Sequence, residues 1–238
     1  MDRRWTVFWL LVFVVSPGRG QTRVAASPMR SMAPRLRFPR VSGMRDEVVQ
    51  RRVNAILANR EREDIGTLSG CRRPIVGPRV KDSDSETVRV AYLSSSFLSI
   101  DVRRTVWQCA PYPQIDIPEP ITLDLRSGRE VDWAQFFAPG FLPVRDFSMP
   151  VKPRSGPPSR LTTLYLGGYK GHDAECLDAV KGDSLYGFDL WFDRRQAALV
   201  AVPDFPHVIR ACAEEVAIPL SAVLPYVSDE AAARELAR

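Results

Sequence analysis

Several stretches of this 238-residue chain alternate apolar and polar residues in steps of two, and helical patterns do not fall regularly between them. Val88, Val90 and Tyr92 alternate with Arg89 and Ala91. Phe97, Leu98, Ile100 and Val102 follow past three serines and run on to Thr105-Val106-Trp107, which fits two antiparallel strands better than one overlong strand. Ile121-Thr122-Leu123-Asp124-Leu125 is a short strand that ends in Arg126-Ser127-Gly128-Arg129, where Gly128 can supply the positive φ of a tight reversal. Phe188, Leu190 and Phe192 alternate with Asp189, Trp191 and Asp193. The chain then reverses over Asp193-Arg194-Arg195-Gln196 and returns along Leu199-Val200-Ala201-Val202. Val216 to Leu220 supplies a last strand. Without strict strand–helix alternation a doubly wound parallel sheet is disfavoured. The fold class is α+β: a mostly antiparallel sheet of about five to seven strands, covered on one face by one long and one short helix.

The long helix begins at a Ser42 cap, carries Asp46 and Glu47 in its first turn, and spaces Met44, Val48, Val53, Ile56 and Leu57 for a half-buried face, ending near Arg60. The short one is capped by Asp173, carries Leu177 and Val180, and stops at Gly182. Asp132-Trp133-Ala134-Gln135-Phe136-Phe137 reads as a single helical turn that buries Trp133 and Phe136 or Phe137. Residues 1–26 form a leader, 27–37 a disordered basic lead-in, 38–227 one α+β domain with a surface loop at Pro150 to Pro158, and 228–238 a frayed C-terminal helix.

The leader has a charged start (Asp2, Arg3, Arg4), an apolar run from Trp5 to Val15, and then Ser16-Pro17-Gly18. The run is too short to span a bilayer, which takes about 20 residues, so it reads as a secretory signal peptide and the product as periplasmic or secreted. Cleavage fits after Gly20 or after Ala26, the second being preferred. That cut removes four arginines and one aspartate and lowers the net charge from +5 to +2. Cys71, Cys109, Cys176 and Cys212 are an even set in an exported chain, which reads as two disulfides. Of three pairings, Cys71–Cys109 and Cys176–Cys212 close the shortest loops, each restricting the unfolded chain by about 4 kcal/mol. His172 and His207 are the only histidines and lie in no nucleophile motif. No Cys-x-x-Cys spacing suggests zinc, so no metal or cofactor is expected.

Phe38-Pro39-Arg40-Val41-Ser42-Gly43-Met44, with Val53-Asn54-Ala55-Ile56 after it, resembles the opening of the extracytoplasmic domain shared by lysozyme-sensing anti-sigma factors and the non-catalytic part of some peptidoglycan deacetylases. Tyr92-Leu93-Ser94, Ile121 to Arg129 and Phe136-Phe137 resemble that domain's core, and Ala217-Ile218-Pro219-Leu220-Ser221, with Leu224 and Tyr226, its closing strand. The resemblance implies a layered α/β domain in the bacterial envelope that recognises an envelope protein or a glycan. The chain departs from the family pattern at Cys109-Ala110-Pro111-Tyr112-Pro113, where a histidine is usual. It also lacks the cytoplasmic helix, the membrane anchor and the deacetylase domain, so neither signalling nor deacetylation carries over.

Tyr112, Trp133, Asp189 and Trp191 are the ligand-binding candidates, because acids beside an exposed indole are what sugar-binding surfaces use. A buried Trp191 under a loop, with the acids on the solvent side of a hairpin, accounts for the same residues. Asp124 with Asp132, and Asp173 with Glu175, are the carboxylate pairs a hydrolase would need. Turn and helix capping is the preferred reading of both pairs. His207, between apolar neighbours, reads as a hydrogen-bonded imidazole, and His172 beside Asp173 as part of a helix start. The basic cluster around Arg45 to Arg62 is interleaved with Glu47, Glu61, Glu63 and Asp64, so it reads as a solvated helix face and no nucleic-acid partner is expected. The functional expectation is a non-catalytic binding module for peptidoglycan or an envelope or lysozyme-like protein. The alternative is an envelope glycan hydrolase or esterase.

Overall fold

The computed structural model describes residues 23–25, 29–31, 37–70, 85–106, 114–143, 158–171, 173–181, 187–205 and 207–238. Its strands are β1 (Arg23–Ala25), β2 (Met29–Ser31), β3 (Arg40–Ser42), β4 (Ser85–Leu93), β5 (Phe97–Val106), β6 (Gln114–Pro118), β7 (Ile121–Asp124), β8 (Arg129–Glu130), β9 (Gly187–Asp193), β10 (Ala198–Asp204) and β11 (Val216–Pro219). The helices are α1 (Glu47–Gly70), α2 (Trp133–Phe136), α3 (Arg160–Gly168), α4 (Ala174–Lys181), α5 (Leu220–Val223) and α6 (Glu230–Leu236). Every strand pairing is antiparallel, as expected for the α+β class.

The single expected sheet is divided. A large sheet runs β2-β4-β5-β7-β8, with β6 also on β5, and a small one runs β11-β10-β9. β1 and β3 form a separate ribbon. Strand β5 organises the large sheet because its alternation serves two cores. Leu98, Ile100 and Val102 point to one side, where they meet Val49, Val53 and Leu57 of α1; Phe97 points to the other, where it meets Phe136 and Phe192. The spacing of the three α1 residues sets one stripe of the helix on the sheet. Asn54, on the same helix, donates to the Val41 carbonyl and accepts from its N–H, both at 2.8 Å, which ties β3 to α1.

Helix α1 starts later and runs further than the pattern indicated. Asp46, not Ser42, accepts from Val48 N (2.8 Å) and Val49 N (3.1 Å), and the helix passes Arg60 because that residue and Asp64 are held against the sheet. The short helix does not share α1's side: Val180 of α4 is buried in the second core. α2 and α4 are capped by Asp132 and Asp173 as expected.

A β-bulge in β4 between Val90 and Tyr92 changes which residues face which core. Arg89 pairs with Asp101, and beyond the bulge Tyr92 pairs with Ser99, so all four point away from α1. There β9 crosses β4, β5 and β7 by its free edge. Phe192 N donates to Ser99 Oγ at 3.2 Å and Arg194 N to the Ala91 carbonyl at 2.9 Å. The small sheet therefore stands with one edge on the large one, and each of its faces has its own core: Leu190, Phe192, Leu199 and Ala201 with the helices on one side, Trp191, Val200 and Val202 on the other.

Two terminal segments differ from expectation. Met29–Ser31, in the predicted disordered lead-in, pairs with β4 at Val88 to Glu86. The predicted frayed tail is a docked helix: Asp229 caps α6, Ala232 and Leu236 are buried, and Glu235 accepts from Ser95 Oγ (3.0 Å), Ser96 N (2.8 Å) and Ser96 Oγ. Burial alone would raise the Glu235 pKa, but these serine hydrogen bonds hold it below the ordinary value. The Pro150 to Pro158 loop lies outside the described residues save for its last residue.

The β7–β8 turn shows how tightly these layers are fitted. Gly128 has φ +68°, and a Cβ there would lie 3.1 Å from Val49 Cγ1 and 3.2 Å from the Val49 carbonyl. Gly128→Ala is therefore expected to lower stability by about 2 kcal/mol, from left-handed strain together with crowding of α1. Urea unfolding of the two proteins checks this, and an unchanged midpoint would refute it.

Candidate functional site

Charged side chains gather where β9 crosses the large sheet. Asp101 of β5 is buried, and Arg89, opposite it on β4, donates through Nη2 to Asp101 Oδ2 at 2.8 Å and to Asp193 Oδ2 of β9 at 2.9 Å. Arg103 Nε donates to Asp101 Oδ1 at 2.6 Å and its Nη2 to Glu215 Oε2 at 2.5 Å, while its guanidinium carbon stands 5.2 Å from the Trp191 ring centroid. The side chains of Arg89 and Arg103 keep 26% and 19% of their surface in solvent. Burial opposes charge on these guanidinium groups, but contact with Asp101 outweighs it and holds both above the ordinary arginine value. Asp193 also shapes the β9–β10 turn: its Oδ1 accepts from Arg195 N (2.8 Å) and Gln196 N (3.1 Å).

Trp191 overturns one expectation. It is 0% exposed, sealed with Ala91, Val200 and Val202, because β9 runs between two cores and has no solvent face at this position. No sugar ring can stack on it. Its Nε1 has no hydrogen-bond partner. Asp189, on the same side of β9, is half-buried. Trp133 is also half-buried but lies on the other side, nearly parallel to Phe137 (13°, 5.8 Å) and edge-on to Phe192 (5.3 Å). Trp133 and Trp191 thus cannot line one groove. Tyr112 and His172 lie outside the described residues, as does the expected Cys71–Cys109 bond. The other expected disulfide, Cys176–Cys212, is present and joins α4 to the 3-10 turn His207–Cys212, which His207 opens.

The carboxylates that could have made a hydrolase are separately engaged. Asp124 accepts from the backbone N–H and Nε of Arg126, at 2.8 and 3.0 Å, while Asp132 and Asp173 cap α2 and α4. No group of three His, Cys, Asp or Glu side chains among the described residues is placed to hold a metal ion.

A second charged cluster lies on the α1 side of the same end of the sheet. Glu86 of β4 is 0% and Asp64 of α1 3% exposed. Arg104 of β5 donates to Asp64 Oδ1 (2.7 Å), Glu86 Oε2 (3.3 Å) and Glu119 Oε1 (3.0 Å), and Arg60 donates to Asp64 Oδ2 (2.9 Å) and Glu119. Burial, and then the adjacent Asp64, push the Glu86 carboxyl up to about 8, against the pull of Arg104. Apart from Trp191 beneath Arg103, the members of these clusters were not among the ligand-binding candidates. Asp101 and Arg103 occupy alternating positions of a strand, with Arg104 on its other face, and so look like solvent-facing residues. The one available signal was that Asp101, Arg103 and Arg104, on either side of Val102, put charge on both faces of a strand whose other half is largely apolar.

Two antiparallel sheets, one standing on the other, with helices outside both and three buried apolar clusters, define an α+β domain. A DUF3298-family protein from Bacteroides fragilis shares this fold, with a TM-score of 0.53 and 11% identity over 92% of this chain and 99% of that one. A DUF3298-family protein from Pseudomonas aeruginosa PAO1 aligns with a TM-score of 0.43 and 12% identity, covering 87% of this chain and 94% of its own. No protein-family model and no curated protein matches the chain. The fold is thus similar to that of a domain of unknown function. No helix among the described residues is long and apolar enough to cross a membrane.

Asp193 has two separable jobs, which a pair of variants can divide. Asp193→Ala loses both turn hydrogen bonds and the Arg89 contact and should destabilise by about 2–4 kcal/mol. Asp193→Asn, keeping Oδ1, should lose roughly half as much. Equal losses in thermal unfolding of the two variants would contradict this division.

Proposed function

We propose that this chain is an exported envelope domain that works as a non-catalytic binding module for peptidoglycan or an envelope protein. The observation that carries the proposal is the engagement of the acids: Asp124, Asp132 and Asp173 hold a turn and two helix starts, so contact is favoured over hydrolysis. The order of motifs from Phe38 to Tyr226 supports placing it with the extracytoplasmic domain shared by lysozyme-sensing anti-sigma factors and some peptidoglycan deacetylases. Trp133, half-buried in an aromatic cluster at the start of α2, is the candidate among the described residues that retains ring surface for a ligand.

The pairing of Arg23–Ala25 with Arg40–Ser42 supports leader cleavage after Gly20, since a cut after Ala26 would discard a strand of the domain. Intact-mass measurement of the exported protein should find an N-terminus at Gln21, and one at Ser27 would refute that site.

Binding is tested by sedimentation with insoluble peptidoglycan and by capture on immobilised lysozyme. The protein should be retained by one of them, and Trp133→Ala should weaken retention while circular dichroism shows the fold intact. Turnover of a glycan or ester panel that disappears in Asp124→Asn would instead establish the hydrolase reading.

A further inference from the structure

The Glu86 cluster has a charge imbalance that its geometry cannot resolve without a proton. Among the described residues, three carboxyls, Asp64, Glu86 and Glu119, face two guanidinium groups, Arg60 and Arg104. Glu86 is fully buried, and its Oε1 has no hydrogen-bond partner, although Oε2 reaches Arg104. An ionised carboxylate with one oxygen orphaned in the core is costly, and neutralisation by a proton is the ordinary remedy. Asp64 is close enough to accept a hydrogen bond from a protonated Glu86.

The position of the cluster gives that proton a structural consequence. Val49, Val53 and Leu57 anchor the first half of α1 by apolar burial, but all of them precede Arg60. From Arg60 onward the contacts that hold the helix include those of Arg60, Asp64 and the partly buried Ile65, with Glu61 tied to Arg40 and to the Phe38 N–H on another side. Among the described residues, the charged groups facing Glu86 are Asp64 and Arg60 from α1, Arg104 from β5, and Glu119 from the segment between β6 and β7.

We propose that the Glu86–Asp64 carboxyl pair is a proton-operated latch that holds the later turns of α1 on the large sheet, closed while one proton sits between the two acids and open once that proton is lost to solvent. The carboxyl of Glu86 is raised from its ordinary value near 4.5 to about 8. Its neutral form is therefore favoured in the folded chain. The stabilisation is complete below the unfolded value and is lost as pH rises through the folded one, so the latch opens between neutral and mildly alkaline pH.

The test is amide hydrogen exchange of the full chain at about pH 6 and about pH 9, comparing wild type with Glu86→Gln at the same pH so that intrinsic exchange rates cancel. At the higher pH, residues 60–66 of wild type should exchange about tenfold faster than those of Glu86→Gln, while residues 49–57 match. At the lower pH, where Glu86 of the folded chain keeps its proton, the gap between the two proteins should be much smaller. Carboxyl-carbon NMR of wild type should show Glu86 titrating in the same interval that loosens residues 60–66. If Glu86→Gln does not fold, this wild-type experiment decides alone, with far-ultraviolet circular dichroism reporting the intact fold. Glu86 titrating in the ordinary carboxylate range, or equal protection of residues 60–66 at both pH values once intrinsic rates are corrected, overturns the proposal.

Discussion

Where β9 lies across the large sheet, an edge strand meets a sheet face, and the meeting works only because specific polar groups receive its unpaired N–H groups. Ser99 accepts from Phe192, and its hydroxyl is fixed by Thr122 Oγ1 at 2.9 Å on the adjacent strand. The Ala91 carbonyl, turned outward by the bulge in β4, accepts from Arg194. A buried N–H left without a partner costs roughly 1–3 kcal/mol, so an apolar residue at Ser99 would set the small sheet adrift from the large one. Two of the three cores are separate because this contact divides the space above the sheet, leaving Phe192 on one side of β9 and Trp191 on the other.

The same crossing explains why so much charge is buried. Strands β4 and β5 extend past the area that β9 and α1 can cover with apolar side chains. Their far ends carry Arg89, Asp101 and Arg103 on one face and Glu86 and Arg104 on the other. Each acid is met by a guanidinium group, whose forked donors can serve two carboxylates in a plane. Such networks add little net stability over apolar packing, but they penalise any arrangement that leaves one member alone. They therefore favour one register of β4 on β5 and one position of β9 above both.

Much of the local structure was legible in the sequence. The period-two runs located β4, β5, β7 and the β9–β10 hairpin, and Asp132 and Asp173 marked helix starts that the structure retains. Tertiary contacts account for the rest. Asp193 and Trp191 alternate with apolar residues as a solvent face would, and only the crossing of β9 over β4 makes that face an interior. Helix α1 outruns its apolar stripe because ion pairs, invisible to a hydrophobic pattern, extend its contact with the sheet. The C-terminal helix looked frayed because alanines and charges bury little area. Its hold comes from Glu235 on a serine loop some 139 residues earlier, which no local pattern can reveal. Among the site candidates, residue type was informative and exposure was not: indoles were identified, but which of them faces water depends on a strand crossing.

An edge strand usually advertises a row of open donors and acceptors to any passing chain, and proteins guard against that with charge, proline or a short strand. Here one border of the small sheet is closed by the large sheet itself, and on the other, β11 has α3 alongside, with Gly168 set against Val216, and ends in Pro219. A sheet finished on both margins offers no template for runaway self-association. That leaves side chains, not backbone, as what the small sheet presents to anything that meets it.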